Sequence, residues 1–369
     1  MSVNLGIRMN RPRISQMKAL TLQVFKGLIV SLLLLHPQIA QADEIESAYK
    51  AVEWEKTFGG KGSDAVFSIV SLADGGAMMA GYTESKGQGS YDAWVIRIDG
   101  KGNLVWDKTF GSKASEYAIS LVALPDGGAI IAGQKLSTTK SLTDAWVFRI
   151  DAQGNLIWEK TYGGNKFDAT MAMSITSLPD GGAMVAAKAA KGTDLGDVWV
   201  FRIDGDGNII WEKNFGKKNS TDNVRSIISL PDGGALIAGS TYSDKIATMV
   251  AWVLRLDARG HLVWEKTFGG DGYDSAKSIV VLPNGSLMIA AITSLKKFGK
   301  KHAWLIHLDE DGNKIWDRTY GKENTISAYS LVAVTDKSLM LAGEIYRKNG
   351  KKADAWVLRT NRQGKSLTK

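Results

Sequence analysis

Five aspartates recur at near-even spacing, Asp99, Asp151, Asp204, Asp257 and Asp309, and each precedes a glycine by three residues. In "DGDGN" (Asp204–Asn208) oxygen donors fall at alternate positions, as they do where a calcium loop begins. Such a loop closes on an acid at its twelfth position, and counted from Asp204 that position is Phe215. Only the third and fifth of the five carry a second acid, Asp206 and Asp311. The same residues suit a hairpin turn, in which an aspartate caps nearby amides and glycine takes the left-handed place. We read the motif as a turn and expect no metal there.

A second set of acids, Asp64, Glu116, Asp168, Asp222 and Asp274, lies ten or eleven residues after Trp54, Trp106, Trp158, Trp211 and Trp264, with Ile326 as the sixth counterpart. Carboxylates on separate loops can hold a cation or divide acid and base roles in glycoside cleavage. They can also cap the amides of their own glycine-rich turns, which is the reading preferred here. Basic groups at Arg97, Arg149, Arg202, Arg255, His307 and Arg359 stand two residues before the turn aspartate or, last, Asn361. Each arginine is expected to pair with the acid of the next strand in its own repeat, among Asp107, Glu159, Glu212, Glu265 and Asp317.

Two further stretches are strongly basic, "LKKFGKKHAW" (Leu295–Trp304) and "YRKNGKKADAW" (Tyr346–Trp356). Variable loops on a rigid scaffold are where binding sites concentrate. Lys296, Lys297, Lys300, Lys301, Arg347, Lys348, Lys351 and Lys352 therefore form the candidate site for an anionic partner.

Catalytic and cofactor motifs are otherwise missing. There is no cysteine, which excludes disulfides, thiolate metal sites and a cysteine nucleophile. His261, His302 and His307 have no metal-ligand spacing, and no nucleophile elbow, phosphate loop or sialidase-type S-x-D-x-G-x-T-W box occurs. The aspartate–glycine turn leading to a tryptophan resembles the docking repeats of quinoprotein propellers, but the interval is a residue short and the threonine is absent. No cofactor is expected.

The first 42 residues have the parts of a secretory leader. Five basic residues and no acid accompany the apolar run "GLIVSLLLL" (Gly27–Leu35), and Ala40-Gln41-Ala42 gives a small-x-small cleavage site. The run is half of what a membrane-spanning helix needs, about 20 residues. Cleavage before Asp43 is expected, giving an exported protein, periplasmic or extracellular, with no membrane span. Without the leader, 41 basic and 38 acidic residues remain of the 46 and 38 in the whole chain, so its +8 falls to about +3. That balance gives little support for nucleic-acid binding.

The tryptophans reveal what must position these groups. One series runs Trp54, Trp106, Trp158, Trp211, Trp264, Trp316, and the other Trp94, Trp146, Trp199, Trp252, Trp304, Trp356. Six copies of a unit of 52 or 53 residues result, each reading as four short strands. "FSIVSL" and "AMMAGYT" flank Asp74-Gly75-Gly76, and "DAWVIRI" and "LVWDKTF" flank "DGKGN". The series starts on a lone fourth strand, "VEWEKTF" (Val52–Phe58), and ends on a third, "DAWVLRT" (Asp354–Thr360). An all-β, six-bladed propeller over 43–369 follows, closed by the N-terminal strand completing the last blade.

"LPDGGAIIAG" with "DAWVFRIDAQGNLIWEKTYGG" is similar to the β-propeller repeats of many exported bacterial and archaeal proteins. The resemblance covers essentially the whole chain after the leader and implies a scaffold with no single activity. The expected function is non-enzymatic binding of a protein or an anionic envelope polymer through one loop face. The alternative is a glycan-active hydrolase or lyase using the acids at the channel mouth.

Overall fold

The computed structural model describes residues 54–136, 142–164, 169–190, 196–217, 220–294, 299–321, 324–334, 338–346 and 353–366. Residues 1–42, where a leader is expected, lie outside them, as do Val52 and Glu53. Among the described residues there are 23 strands and no α-helix.

Blade 1 is β1 (Asp64–Ser71), β2 (Ala77–Thr83), β3 (Asp92–Ile98) and β4 (Leu104–Phe110); blade 2 is β5 (Glu116–Ala123), β6 (Ala129–Leu136), β7 (Thr143–Ile150) and β8 (Leu156–Tyr162). Blade 3 is β9 (Ala169–Ser177), β10 (Ala183–Ala190), β11 (Asp197–Ile203) and β12 (Ile209–Phe215). Blade 4 is β13 (Asn223–Ser229), β14 (Ala235–Ser243), β15 (Thr248–Leu256) and β16 (Leu262–Phe268). Blade 5 is β17 (Ser275–Val281), β18 (Leu287–Ser294), β19 (Lys301–Leu308) and β20 (Lys314–Tyr320). Blade 6 has β21 (Thr325–Ala333), β22 (Ser338–Tyr346) and β23 (Ala353–Asn361). Strands neighbour one another in chain order and antiparallel, and the first strands β1, β5, β9, β13, β17 and β21 meet in succession on the inside.

The apolar residues of the middle strands form a layer between consecutive blades. Between blades 1 and 2, for example, Met78, Ala80 and Val95 meet Leu121, Ile131, Trp146 and Phe148. The indoles divide the work. Trp106, Trp158 and Trp211 each donate Nε1 to a turn carbonyl of the following blade, at Ala152, Gly205 and Ala258, over 2.9–3.1 Å. Their rings lie against the turn glycine of that blade: a Cβ on Gly207, at φ +77°, would stand 2.9 Å from Trp158. The buried indoles of Trp94, Trp146, Trp199 and Trp304 instead donate to the fourth-strand acid of their own blade, Asp107, Glu159, Glu212 and Asp317.

Nearer the axis, each first strand carries a bulge, and serine hydroxyls beside it reach the next blade. Ser68, Ser120, Ser174 and Ser278 accept from the amides of Leu121, Ile175, Ile227 and Leu331 at 3.1–3.3 Å.

The sixth-to-first junction differs. Among the described residues the sixth sheet has three strands and Lys56–Gly60 belong to none, so the expected pairing of the N-terminal strand, Val52–Phe58, with β23 is not seen among them. Phe58 nevertheless packs on Met79, Trp94 and Ile96, as Phe110 packs on the matching residues of blade 2. Ile69 on blade 1 is 63% exposed, whereas its counterparts Leu121, Ile175, Ile227, Ile279 and Leu331 are 4% or less. Val357 on blade 6 is 61% exposed, against 0% for Val95, Val147, Val200, Val253 and Leu305.

The turn–indole joint predicts that Gly207→Ala lowers unfolding free energy by about 2 kcal/mol, combining positive-φ strain with displacement of Trp158. Asp206→Ala, one residue away and exposed, should stay within about 0.5 kcal/mol of the parent. Urea unfolding of the two variants measures the contrast.

Candidate functional site

The recurring aspartates are consumed by their turns. Asp99 accepts the amides of Lys101 and Asn103 at 2.9 and 2.8 Å and the Asn103 side chain at 3.0 Å, and Asp151, Asp204 and Asp309 repeat the set. The hydrogen bonds to Asn103 hold the Asp99 carboxyl below the usual carboxylate range. Among the described residues no group of three or more acids and histidines is placed to hold a metal.

The arginines do not take the partners expected of them. Arg97, Arg149, Arg202 and Arg255 pair with the aspartates of the preceding hairpin turn, Asp74, Asp126, Asp180 and Asp232. Strand alternation explains this: Arg97 lies opposite Trp106, while Asp107 lies opposite Ile96 and so shares the other face with Trp94. In blades 5 and 6, His307 and Arg359 hydrogen-bond the hydroxyls of Ser286 and Ser338.

The second set of acids sits at or just before the first strands, each against its own turn. Asp64 accepts from Gly60 N at 2.9 Å, Ser85 Oγ at 2.7 Å and Thr83 Oγ1. Glu116 accepts from Ser112 N and Oγ at 3.2 and 2.7 Å, Asp222 from Lys217 N at 3.2 Å, and Asp274 from Gly270 N at 3.0 Å. Asp168 lies outside the described residues, and its structural place in blade 3 is held by Thr170. Thr170 faces Gly163 as Asp64 faces Gly59, and its Oγ1 accepts from Ala145 N at 2.6 Å. The connection in that copy is two residues longer than in the first, which displaced the match in sequence. Ile326 fills the same place in blade 6, against Gly321.

Burial opposes ionisation of Asp64, but the bonds from Thr83, Ser85 and Gly60 outweigh it and hold the carboxyl at about 2. Burial pushes Asp222 and Asp274 up instead. Asp274 Oδ1 is buried with no hydrogen-bond partner.

Of the eight basic loop residues, Lys296, Lys297, Arg347, Lys348, Lys351 and Lys352 lie outside the described residues. Lys300 and Lys301 are described, both exposed, with Lys301 opening β19. Lys301 lines a cavity of about 580 Å³ with Tyr242, Met249, Tyr273 and Ser294 between blades 4 and 5. Thr293 pairs with His302 and Ser294 with Lys301 across β18 and β19. By that alternation, Thr293 and His302 line a second cavity of about 660 Å³ on the other side of the same strand ends.

Sequence reasoning missed two cations beside this place. Arg225 and Lys277 occupy the bulges of β13 and β17, where the other blades carry Phe67, Ile119, Met173 and Tyr329. Burial, with the charges of Arg225 and Lys301 adding to it, pushes the Lys277 ammonium down to about 8. Neither Arg225 nor Lys277 has an ion-pair partner among the described residues. The signal was present in the sequence, as two adjacent cations in an otherwise uncharged column, but the column appears only once the repeats are aligned on their bulges.

The fold defines the chain as a six-bladed β-propeller. No protein-family model matches it. The sequence is 24% identical over 287 residues to the regulatory protein FlaEY of Caulobacter vibrioides, covering 70% of this chain and 29% of that one. The match thus spans under a third of that relative's length. Among solved structures, a PL25 polysaccharide lyase, ulvan lyase bound to -[GlcA(1-4)Rha3S]-, superposes with a TM-score of 0.55 at 9% identity, covering 86% of this chain and 82% of the other. Puromycin hydrolase gives 0.53 at 13% identity, covering 86% and 46%. At such identities the likeness establishes the propeller fold alone.

Two pH effects follow. The Lys277 pKa is depressed on folding, so the unfolded chain binds more protons between about 8 and the free-lysine value of about 10.4. Lys277→Met should therefore raise Tm at pH 7, with the gain shrinking as pH climbs through that window. The Asp64 pKa is also depressed, so its contribution is present above about 4 and lost as pH falls toward 2. Asp64→Asn should unfold at lower urea than the parent at pH 7, with the two midpoints converging near pH 2.

Proposed function

We propose that this chain is an exported, non-enzymatic propeller that binds an anionic partner through the loop face of blades 4 to 6. The observation that carries this is that Lys277 feels the charges of Arg225 and Lys301, that none of the three has an ion-pair partner among the described residues, and that Lys301 lines a cavity with two tyrosines. Keeping a half-buried ammonium unpaired costs stability, and an anionic ligand would supply the missing counter-charge. The connections of copies five and six are also rich in lysine in the sequence, which adds positive charge to the chain's variable loops. The leader supports export, and the name of the Caulobacter relative, a regulatory protein, fits a binding role. The catalytic alternative draws less support, since Glu116, Asp222 and Asp274 are buried against their own turns.

Equilibrium binding of fluorescent polyglutamate at low and high salt tests the proposal. The parent chain should bind in a salt-sensitive way, and the triple variant Arg225→Gln, Lys277→Met, Lys301→Gln should bind about tenfold or more weakly. Equal binding by both would overturn it. Turnover in a glycan screen, abolished by Asp64→Asn in a folded protein, would establish the catalytic alternative instead.

A further inference from the structure

Each blade junction presents three equivalent positions near the axis on the loop face. They are the bulge residue of a first strand, a second-strand residue beside it, and the second residue of the next blade's inner segment. From blade 2 onward the sets are Ile119, Gln134 and Met171, then Met173, Lys188 and Asn223, then Arg225, Ser240 and Ser275, then Lys277, Ile292 and Ser327. A bond of 3.2 Å from Lys188 Nζ to Asn223 Oδ1 shows that such positions touch across a junction.

Between blades 1 and 2 all three are aromatic, Phe67, Tyr82 and Tyr117, and Tyr91 from the loop before β3 joins them. Ring centroids lie 5.6 Å apart for Phe67–Tyr82, 5.2 Å for Tyr82–Tyr91, 5.4 Å for Tyr82–Tyr117 and 5.3 Å for Tyr91–Tyr117. Phe67 is 53% exposed and the tyrosines half-buried. Since the next four junctions fold with Ile, Gln, Met, Lys, Asn, Arg or Ser at these places, packing does not require aromatic rings there.

Carboxylates border the cluster. Glu84 accepts the Ser63 amide at 2.8 Å, and its hydrogen bond with the Tyr91 hydroxyl raises the tyrosine's pKa. Asp64 and Glu116 flank the same junction, and Glu116 N donates to Tyr91 O at 2.9 Å. Flat ring faces edged by hydroxyls and carboxylates match a pyranose, whose C–H face stacks while its hydroxyls donate outward. A phosphate or sulfate at that spot would be repelled by the acids. The cations lie around the ring at Lys188, Arg225 and Lys277.

Resting on the anionic-partner reading above, we infer that the partner is an acidic polysaccharide. A neutral sugar unit stacks on Phe67, Tyr82, Tyr91 and Tyr117, and carboxylate- or sulfate-bearing units reach the basic arc of blades 3 to 5.

Calorimetry with hyaluronan oligosaccharides, which alternate neutral and acidic sugars, tests the inference beside polyglutamate and single-stranded oligothymidylate. The informative variant is Tyr82→Gln with Tyr117→Met, the residues that blades 2 and 3 carry at the same places. Hyaluronan affinity should fall at least tenfold in it while polyglutamate affinity is unchanged, which also shows that the variant is folded. Tyr82→Phe with Tyr117→Phe should keep most of the sugar affinity. Undiminished hyaluronan binding by the Gln/Met variant overturns the stacking subsite and leaves the anionic reading standing. Binding of neither polymer by the parent overturns both. Oligothymidylate binding that exceeds hyaluronan and is lost with the tyrosines would overturn the sugar assignment in favour of a nucleic acid.

Discussion

Every blade depends on the joint between an outer-strand indole and a turn glycine of its neighbour. The glycine is required twice, because its φ is positive and because the ring occupies the space a Cβ would need, as Gly207 and Trp158 show. The aspartate that starts the turn holds the loop in that shape by accepting its amides, so the carbonyl presented to the indole is fixed in place. The motif is one mechanical part made of two pieces on successive blades. The buried indoles complete the arrangement by anchoring the third strand to the fourth within a blade, and the apolar layer then fills the wedge between sheets.

A scaffold joined in this way uses its repeated polar groups internally. Turn aspartates face their own amides, the arginines bridge to hairpin aspartates, and the acids beside the first strands grip glycine turns. What is left uncommitted is not repeated. Arg225 and Lys277 replace apolar bulge residues in two blades, and Phe67, Tyr82, Tyr91 and Tyr117 gather at one junction only. Both groups carry a cost the fold does not need, a half-buried charge with no ion-pair partner among the described residues in one case and an exposed aromatic ring in the other.

Blades 1 and 6, at the two ends of the series, show what a neighbouring blade covers. Where blades meet, the residues matching Ile69 and Val357 are buried, and here both are exposed. Phe58 rests on Met79, Trp94 and Ile96 of blade 1, as Phe110 rests on the matching residues of blade 2.

The sequence alone determined the number of blades, the four strands of blades 1 to 5, the turn role of Asp99 and its counterparts, and the two tryptophan series. These are set by alternation, turn chemistry and a repeat of about 50 residues, all of which act along the chain. Only the tertiary structure decided the contacts made across sheets and junctions. It gave Arg97 to Asp74 because neighbouring residues of a strand face opposite ways, and it put Thr170 where spacing had pointed to Asp168 because a longer connection shifted the register. It also set Lys277 beside Arg225 and Lys301, and brought four aromatic residues spread from position 67 to 117 within ring contact. Such proximities depend on how bulged strands are presented around an axis, a geometry that no local pattern of residues encodes.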